Sequence, residues 1–520
     1  MGLAGAVALL TAGPGLAAAT PVAAVESGQI AGEAAGAISV FRGIPYAAPP
    51  VGALRWRPPQ RAARWTGVRQ AVRFGPACPQ AGAPGVSDIV RYGGAPEPTS
   101  EDCLTLNVWA PARQARRAPV MVWFHGGSGR MGAGSLPYYD GSAFARDGVV
   151  LVTVNYRLGH LGAFDHPALS GAAKGREPTG AYALMDQVAA LQWVRRNIAA
   201  VGGDPGNVTI FGESSGGISV FNLTVTPSAR GLFHKAIIES AGGWFPPAPN
   251  LKKSEEEGEK VALAAGAAAH ATAAQLRALS ARAIAMAPTA ATASADRRLM
   301  PEGATSAIDA GRQAAVPLMI GVNSGEDSLL DYGGGMEKAK AAAKPADIAK
   351  VKALYGPGTT DELALRNMLR DGVGTAPARW VARKWSARAP AYLYRFDHVD
   401  EAARGRQTRA AHGSEIFYVF RTLGLQPADP PAPTPGDARL AAEMHARWVA
   451  FAKTGRPDVP GAPHWPAYVP AKDQWMAFGP AGSSVRANVL KPQLDWHERR
   501  TTPLIWLVRA QAEFNRLFGR

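Results

Sequence analysis

Runs of unbroken apolar residues recur at wide intervals along this chain, and they limit what it can fold into. "APVMVWFHGG" (118–127), "GVVLVTVNYRLG" (148–159), "NVTIFGESSGG" (207–217), "HKAIIESAGG" (234–243), "VPLMIGVNSGED" (316–327) and "AYLYRFDHVD" (391–400) each read as a strand that stops in a turn. A strand with one wet face alternates apolar and polar residues; these do not, so both faces are buried, as in a parallel sheet. Between them, "MDQVAALQWVRRNIAAVGG" (185–203) and "ARLAAEMHARWVAFAKTG" (438–455) carry apolar residues at helical spacing and close on glycine. Strand–helix alternation predicts the α/β class, with a mostly parallel central sheet flanked by helices. Two Ala/Lys/Glu-rich segments, 254–280 and 336–356, read as helices inserted between late strands, expected to cap the C-terminal edge of the sheet. Pro/Ala-rich "LQPADPPAPTPGDARL" (425–440) reads as an exposed loop. Neither a long linker nor a repeat interrupts the chain, so residues 20–520 are expected to form one domain.

The third run ends in Gly212-Glu213-Ser214-Ser215-Gly216-Gly217. Gly-Ser turns are common, and a bland turn is one reading. The other is a nucleophile elbow, G-x-S-x-G, in which a serine sits on a strained strand-to-helix turn and glycines admit the close passage of neighbouring backbone. A serine hydroxyl attacks only when a base takes its proton, and the base needs an acid to hold its tautomer. In an α/β-hydrolase the chain order is serine, acid, histidine. Glu326 and Asp327 follow the next strand but one, and His412 follows the strand after that. Of the adjacent acids only one can face the imidazole; Glu326 is assigned, with Asp327 as a surface or capping residue. His398 rivals His412 but lies too near its strand to fold back over Ser214. "HGGSG" (125–129) follows an early strand, where backbone N–H donors for an oxyanion belong. Gly126, Gly127 and Ser128 form that loop, and the N–H of Ser215 completes the set.

The 520 residues carry a net charge of +15. The charges are scattered, so the excess reads as general surface charge with no nucleic-acid role. The apolar N-terminus ends in Ala17-Ala18-Ala19, an A-x-A cleavage pattern, although no basic residue precedes it. It is too short and too broken by glycine and proline to span a membrane. Residues 1–19 are therefore expected to be a signal peptide, and the protein to be secreted or periplasmic. Two cysteines, Cys78 and Cys103, in an exported chain suggest one disulfide. Such a bridge contributes on the order of 3 kcal/mol in the loop-entropy description. The alternative is two separate buried thiols.

Several longer motifs now have a common likeness. "FRGIPYAAPPVGALRWRPPQ" (41–60), "SEDCLTLNVWAP" (100–111), "GGDPGNVTIFGESSGG" (202–217), "VPLMIGVNSGED" and "AAHGSEIFYVF" (410–420) resemble the signatures of the type-B carboxylesterase family, which includes the cholinesterases and bacterial para-nitrobenzyl-esterase-like members. The resemblance covers most of residues 25–500. It implies an α/β-hydrolase fold and a serine carboxylic-ester hydrolase with the triad Ser214, Glu326 and His412. It also implies a bridge between Cys78 and Cys103, and neither metal nor organic cofactor. The substrate would be a small-molecule ester, with an amidase or a polymer- or toxin-ester hydrolase using the same site as the alternative. A non-catalytic cholinesterase-like binding protein is the rival from another class, but such relatives usually lack the nucleophile or another triad member, and all three candidates are present here. The chain also departs from the family. Ser215 stands where alanine is usual, Ser128 replaces the third loop glycine, and Gly129 replaces an aromatic. Val201 replaces a phenylalanine. Asp327 stands where glycine usually follows the acid, and it would raise the pKa of Glu326 unless it faced solvent.

Overall fold

A computed structural model describes residues 20–80, 99–112, 117–244, 250–288, 296, 298–331, 334–426 and 432–518, with side chains as far as 505. The expected signal peptide, residues 1–19, lies outside them. Among the described residues, strands join into an eleven-stranded sheet. From edge to edge it runs Gly482–Ala487, Gln474–Gly479, Ala391–Phe396, Leu318–Asn323, Lys235–Glu239, Gly203–Glu213, Ala118–Phe124, Val150–Val154, Thr105–Pro111, Ile38–Pro45 and Glu33–Ala35. The strands from Val150–Val154 across to Gln474–Gly479 are parallel, and the pairings at both edges are antiparallel. A three-stranded sheet of Val22–Val25, Gly28–Ala31 and Val68–Gln70 stands apart.

Burial on both faces explains the unbroken apolar runs. In Ala118–Phe124, Val120, Val122 and Phe124 enter one core cluster and Met121 and Trp123 the other. The helix Tyr182–Asn197 supplies Leu191 and Val194 to the first. The helix Pro435–Thr454 supplies Leu440, Met444, Trp448 and Phe451 to the second. Helices thus cover both faces, the arrangement of an α/β-hydrolase. The late insertions form helices Leu251–Ala264, Ala273–Ala278, Gly335–Ala342 and Pro345–Tyr355.

The loop reading of 425–440 needs correction at its C-terminal end. Residues 427–431 lie outside the described set, but a helix already begins at Pro435. Thr434 caps it, accepting from Asp437 N while the Asp437 side chain accepts from Thr434 N. Proline at the first helical position with a capping pair around it starts a helix.

Cys78 and Cys103 form a disulfide. Two residues on, the Gln80 side chain donates to Gly132 O (3.1 Å) and accepts from Gly132 N (2.9 Å). The bridge therefore sits beside the return of the "HGGSG" loop. No helix among the described residues is long and apolar enough to cross a membrane.

Candidate active site

Parallel strands in register bring their C-terminal ends together, and such ends carry the sites of α/β folds. Phe124 pairs with Gly212, and Glu213 with Glu239; Asn323 pairs with Phe396. The residues just beyond these pairs are those singled out in the sequence.

Ser214 has φ 54° and ψ −125°, an uncommon conformation for a non-glycine residue. It is held there from both sides. Its N–H donates to Glu239 O (2.9 Å), and its carbonyl accepts from Ile218 N in the helix Ser215–Leu223. The turn needs glycine close by, since a Cβ on Gly216 would lie 1.9 Å from Phe124 O. The side chain of Ser214 does not cap the helix that follows it.

The acid and histidine loops are stitched together. Gly325 N donates to Ala410 O (2.7 Å), Ala410 N to Ser324 Oγ (3.0 Å) and His412 N to Ser328 Oγ (3.0 Å). Asn323 Nδ2 donates to Ala411 O (2.7 Å). This register sets His412 Nδ1 at 2.5 Å from Glu326 Oε2, while Glu326 Oε1 accepts from Asn323 N (2.8 Å). Glu326 is buried, and the His412 side chain is 13% exposed. The other ring nitrogen, Nε2, lies 3.1 Å from Glu213 Oε1, in a geometry that leaves both atoms without a hydrogen bond.

Asp327 is not a surface residue. It is buried, and its carboxylate points at Arg366 (3.7 Å) and Arg409 (3.8 Å), away from the imidazole. His398 is also taken elsewhere: its Nε2 lies 2.6 Å from Asp437 Oδ1, the acid that caps the helix Pro435–Thr454. With Asp400 these two form the one group of three His/acid side chains among the described residues whose ligand atoms are close enough together to hold a metal ion, and Tyr418 OH donates to Asp400 at 2.5 Å. Among the described residues, the buried Nδ1 of His398 makes no hydrogen bond.

The glycine-rich loop meets the elbow. Gly126 faces it so closely that a Cβ there would be 2.6 Å from Glu213 Oε2 and 3.3 Å from the Cβ of Ser214. Gly127 and Ser128 turn through φ 102° and 58°. Among the described residues, the backbone N–H groups of Gly127, Ser128 and Ser215 are not taken by a hydrogen bond, whereas Gly129 N donates to Ser215 Oγ (3.0 Å). The serine that departs from the family pattern thus ties the loop to the helix N-terminus, whose dipole favours negative charge.

Sequence reasoning missed the carboxylates behind the histidine. Glu213, Glu239 and Glu415 are all buried. Glu415 accepts from Asn323 Nδ2 (2.5 Å) and Ser240 Oγ (3.1 Å), and Glu239 from Trp448 Nε1 (2.7 Å). Burial first, then neighbouring carboxylates, raise Glu213 to about 8 and Glu415 to about 7, against the lowering effect of His412. Burial pulls the His412 imidazole down, but the charges of Glu213 and Glu326 more than reverse this, to about 10. Glu213 could have been noticed as the one acid between an apolar strand and the elbow serine. The other two gave no such signal.

The model of the carboxylesterase family matches residues 19–355 and 356–496. The chain is 35% identical over 487 residues to a fumonisin B1 esterase of Sphingopyxis macrogoltabida, covering 87% of this chain and 85% of that protein. It is 34% identical over 470 residues to the para-nitrobenzyl esterase of Bacillus subtilis (strain 168), covering 86% and 92%. Among solved structures, a PNB esterase superposes with a TM-score of 0.79 at 31% identity, covering 92% of this chain and 99% of that one.

Proposed function

Because the chain belongs to the carboxylesterase family and is a carboxylic-ester hydrolase, we propose that it works through an acyl-enzyme on Ser214, with His412 as general base and Glu326 as its orienting acid. The observation that carries this reading is the 2.5 Å contact of Glu326 with His412 Nδ1, which leaves Nε2 as the free ring nitrogen beside the elbow. Ser214 Oγ attacks the ester carbonyl as His412 takes its proton. The N–H groups of Gly127, Ser128 and Ser215, in the loop that begins at Gly126, stabilise the oxyanion; each such donor is worth about 10²–10³ in rate. His412 returns the proton to the departing alcohol and then activates water for deacylation. The substrates are small-molecule esters. Turnover of a p-nitrophenyl ester series by the purified protein, beside the matching anilides, tests this; cleavage of anilides alone would overturn the ester reading.

We also propose that residues 20–520 are one catalytic domain of an exported protein. The apolar N-terminus and the Cys78–Cys103 bridge support this. N-terminal sequencing of the mature protein should begin just after Ala19, and an intact residue 1 would refute it.

Glu326→Gln is expected to lower kcat/KM by about 10⁴, the loss seen when an orienting acid becomes an amide and holds the wrong tautomer. Asp327→Asn should cost less than about tenfold, because Asp327 answers to Arg366 and Arg409 and makes no contact with the imidazole. The opposite ranking would exchange the two roles.

Burial and neighbouring carboxylates raise Glu213, and the charges of Glu213 and Glu326 raise His412, so the two titrate as a pair, and general-base catalysis needs the His412 imidazole neutral. Glu213→Gln removes the charge that favours imidazolium. The raised value of His412 should then fall, and the acidic limb of the kcat/KM profile should move to lower pH. An unmoved limb, or one displaced to higher pH, argues against this coupling.

A further inference from the structure

No aspartate or glutamate occurs between Glu33 and Asp88, whereas arginines stand at 42, 55, 57, 61, 64, 69 and 73. Some of these find acids elsewhere in the fold: Arg42 pairs with Glu33, Arg55 with Glu101 and Arg57 with Glu177. Beside Arg57 opens a cavity of about 330 Å³ in which the balance of charge is not met. Its cationic lining is Arg57, Lys174, Arg176 and Arg277, and its single carboxylate is Glu177. Both oxygens of Glu177 are already committed to Arg57, at 3.1 and 2.6 Å. Among the described residues no carboxylate forms an ion pair with Lys174, Arg176 or Arg277.

The cavity is built rather than incidental. Trp56 and Leu169 make its floor, both 2% exposed. The Trp56 ring stacks on Phe164 (4.6 Å between centroids), and its Nε1–H donates to His160 O (2.9 Å). The rim is pinned at two points: Arg298 Nη1 donates to Gly175 O (2.6 Å), and Thr179 N donates to Asp296 Oδ2 (2.9 Å). Among the described residues Arg277 makes one side-chain hydrogen bond, from its Nε–H to Arg55 O (2.8 Å), and it lines the cavity. Burial lowers the pKa of this guanidinium below its ordinary value and the nearby Arg57 charge adds to that, while Tyr182 and Glu177 oppose it without reversing it. A half-buried guanidinium next to other cations gains from any oxyanion that reaches it, and its planar fork suits carboxylate or phosphate. The volume is that of a small-molecule site.

We infer that this cavity binds a small oxyanion of at least two negative charges, a polycarboxylate or a phosphate, at a site separate from the catalytic one. Neither Ser214, Glu326 nor His412 lines it.

Calorimetric titration of the whole protein with citrate and with inorganic phosphate, at matched ionic strength in chloride buffer, tests this. One saturable site with a Kd below about 1 mM is expected for at least one of them. Citrate alone identifies a carboxylate site, phosphate alone a phosphate site, and both support the shared chemistry. Arg277→Gln, and separately the double variant Lys174→Gln/Arg176→Gln, should each weaken binding about tenfold or more. The double variant alters only exposed side chains, so its fold is safe. Turnover of p-nitrophenyl acetate without added anion should be unchanged in both. The inference falls if neither anion gives saturable heat up to about 10 mM, if the double variant binds as tightly as the parent, or if labelling Ser214 abolishes binding.

Discussion

Ser214→Ala is expected to lower kcat by about 10⁶, the cost of a nucleophile in other serine hydrolases, and to leave the melting temperature unchanged. The two effects separate because of how the elbow is held. Its strained backbone rests on the bond from Ser214 N to Glu239 O and on the close approach of Gly216 to Phe124 O, neither of which involves the hydroxyl. The side chain makes no capping bond to the helix after it. An organophosphonate should add its mass at Ser214 and nowhere else. An adduct on Ser215 would move the nucleophile by one residue. That is unfavourable here, since the Ser215 hydroxyl already accepts from Gly129 N.

His412→Ala should reduce kcat by a factor close to that of Ser214→Ala, again about 10⁶. It should also lower the melting temperature, because Glu326 and Glu213 stay buried beside the lost imidazole, and removing one partner of a buried pair leaves the other uncompensated. His398→Ala gives the useful contrast. It breaks the 2.6 Å contact to the Asp437 helix cap, so stability should drop while each folded molecule keeps most of its turnover. Kinetics and thermal melts of both variants check this. Preserved turnover in His412→Ala, with loss in His398→Ala, would mean that the base is misplaced.

The legible parts of this chain were those where local chemistry and fold agree. Unbroken apolar runs announced strands buried on two faces. The G-x-S-x-G turn, the glycine-rich loop and the order of Glu326 and His412 announced strand ends that would meet. What stayed hidden depends on partners distant in sequence. Asp327 looked like a solvated charge because Arg366 and Arg409, which meet it, come from other elements. Glu239 ends an apolar strand, and only the pairing of that strand sets it beside Glu213; Glu415 lies three residues after His412, but its partners Ser240 and Asn323 come from other elements. The helix start at Pro435 is different: Thr434, Pro435 and Asp437 spelled a capping pair, but a run of prolines before them read as an irregular segment.

The bond between Glu326 and His412 closes 86 residues of chain, and Ser214 arrives from a strand end still further back. Refolding therefore makes the catalytic group a latecomer. Helices close on the microsecond scale, whereas pairings this far apart must first meet the entropy of long loops. After dilution from denaturant, far-ultraviolet dichroism should recover first and esterase turnover should lag behind it, tracking the docking of Ala391–Phe396 onto Leu318–Asn323. Turnover that returned in step with the first dichroism signal would show that these strand ends meet early. For this chain, the appearance of activity is a clock for the last stage of assembly.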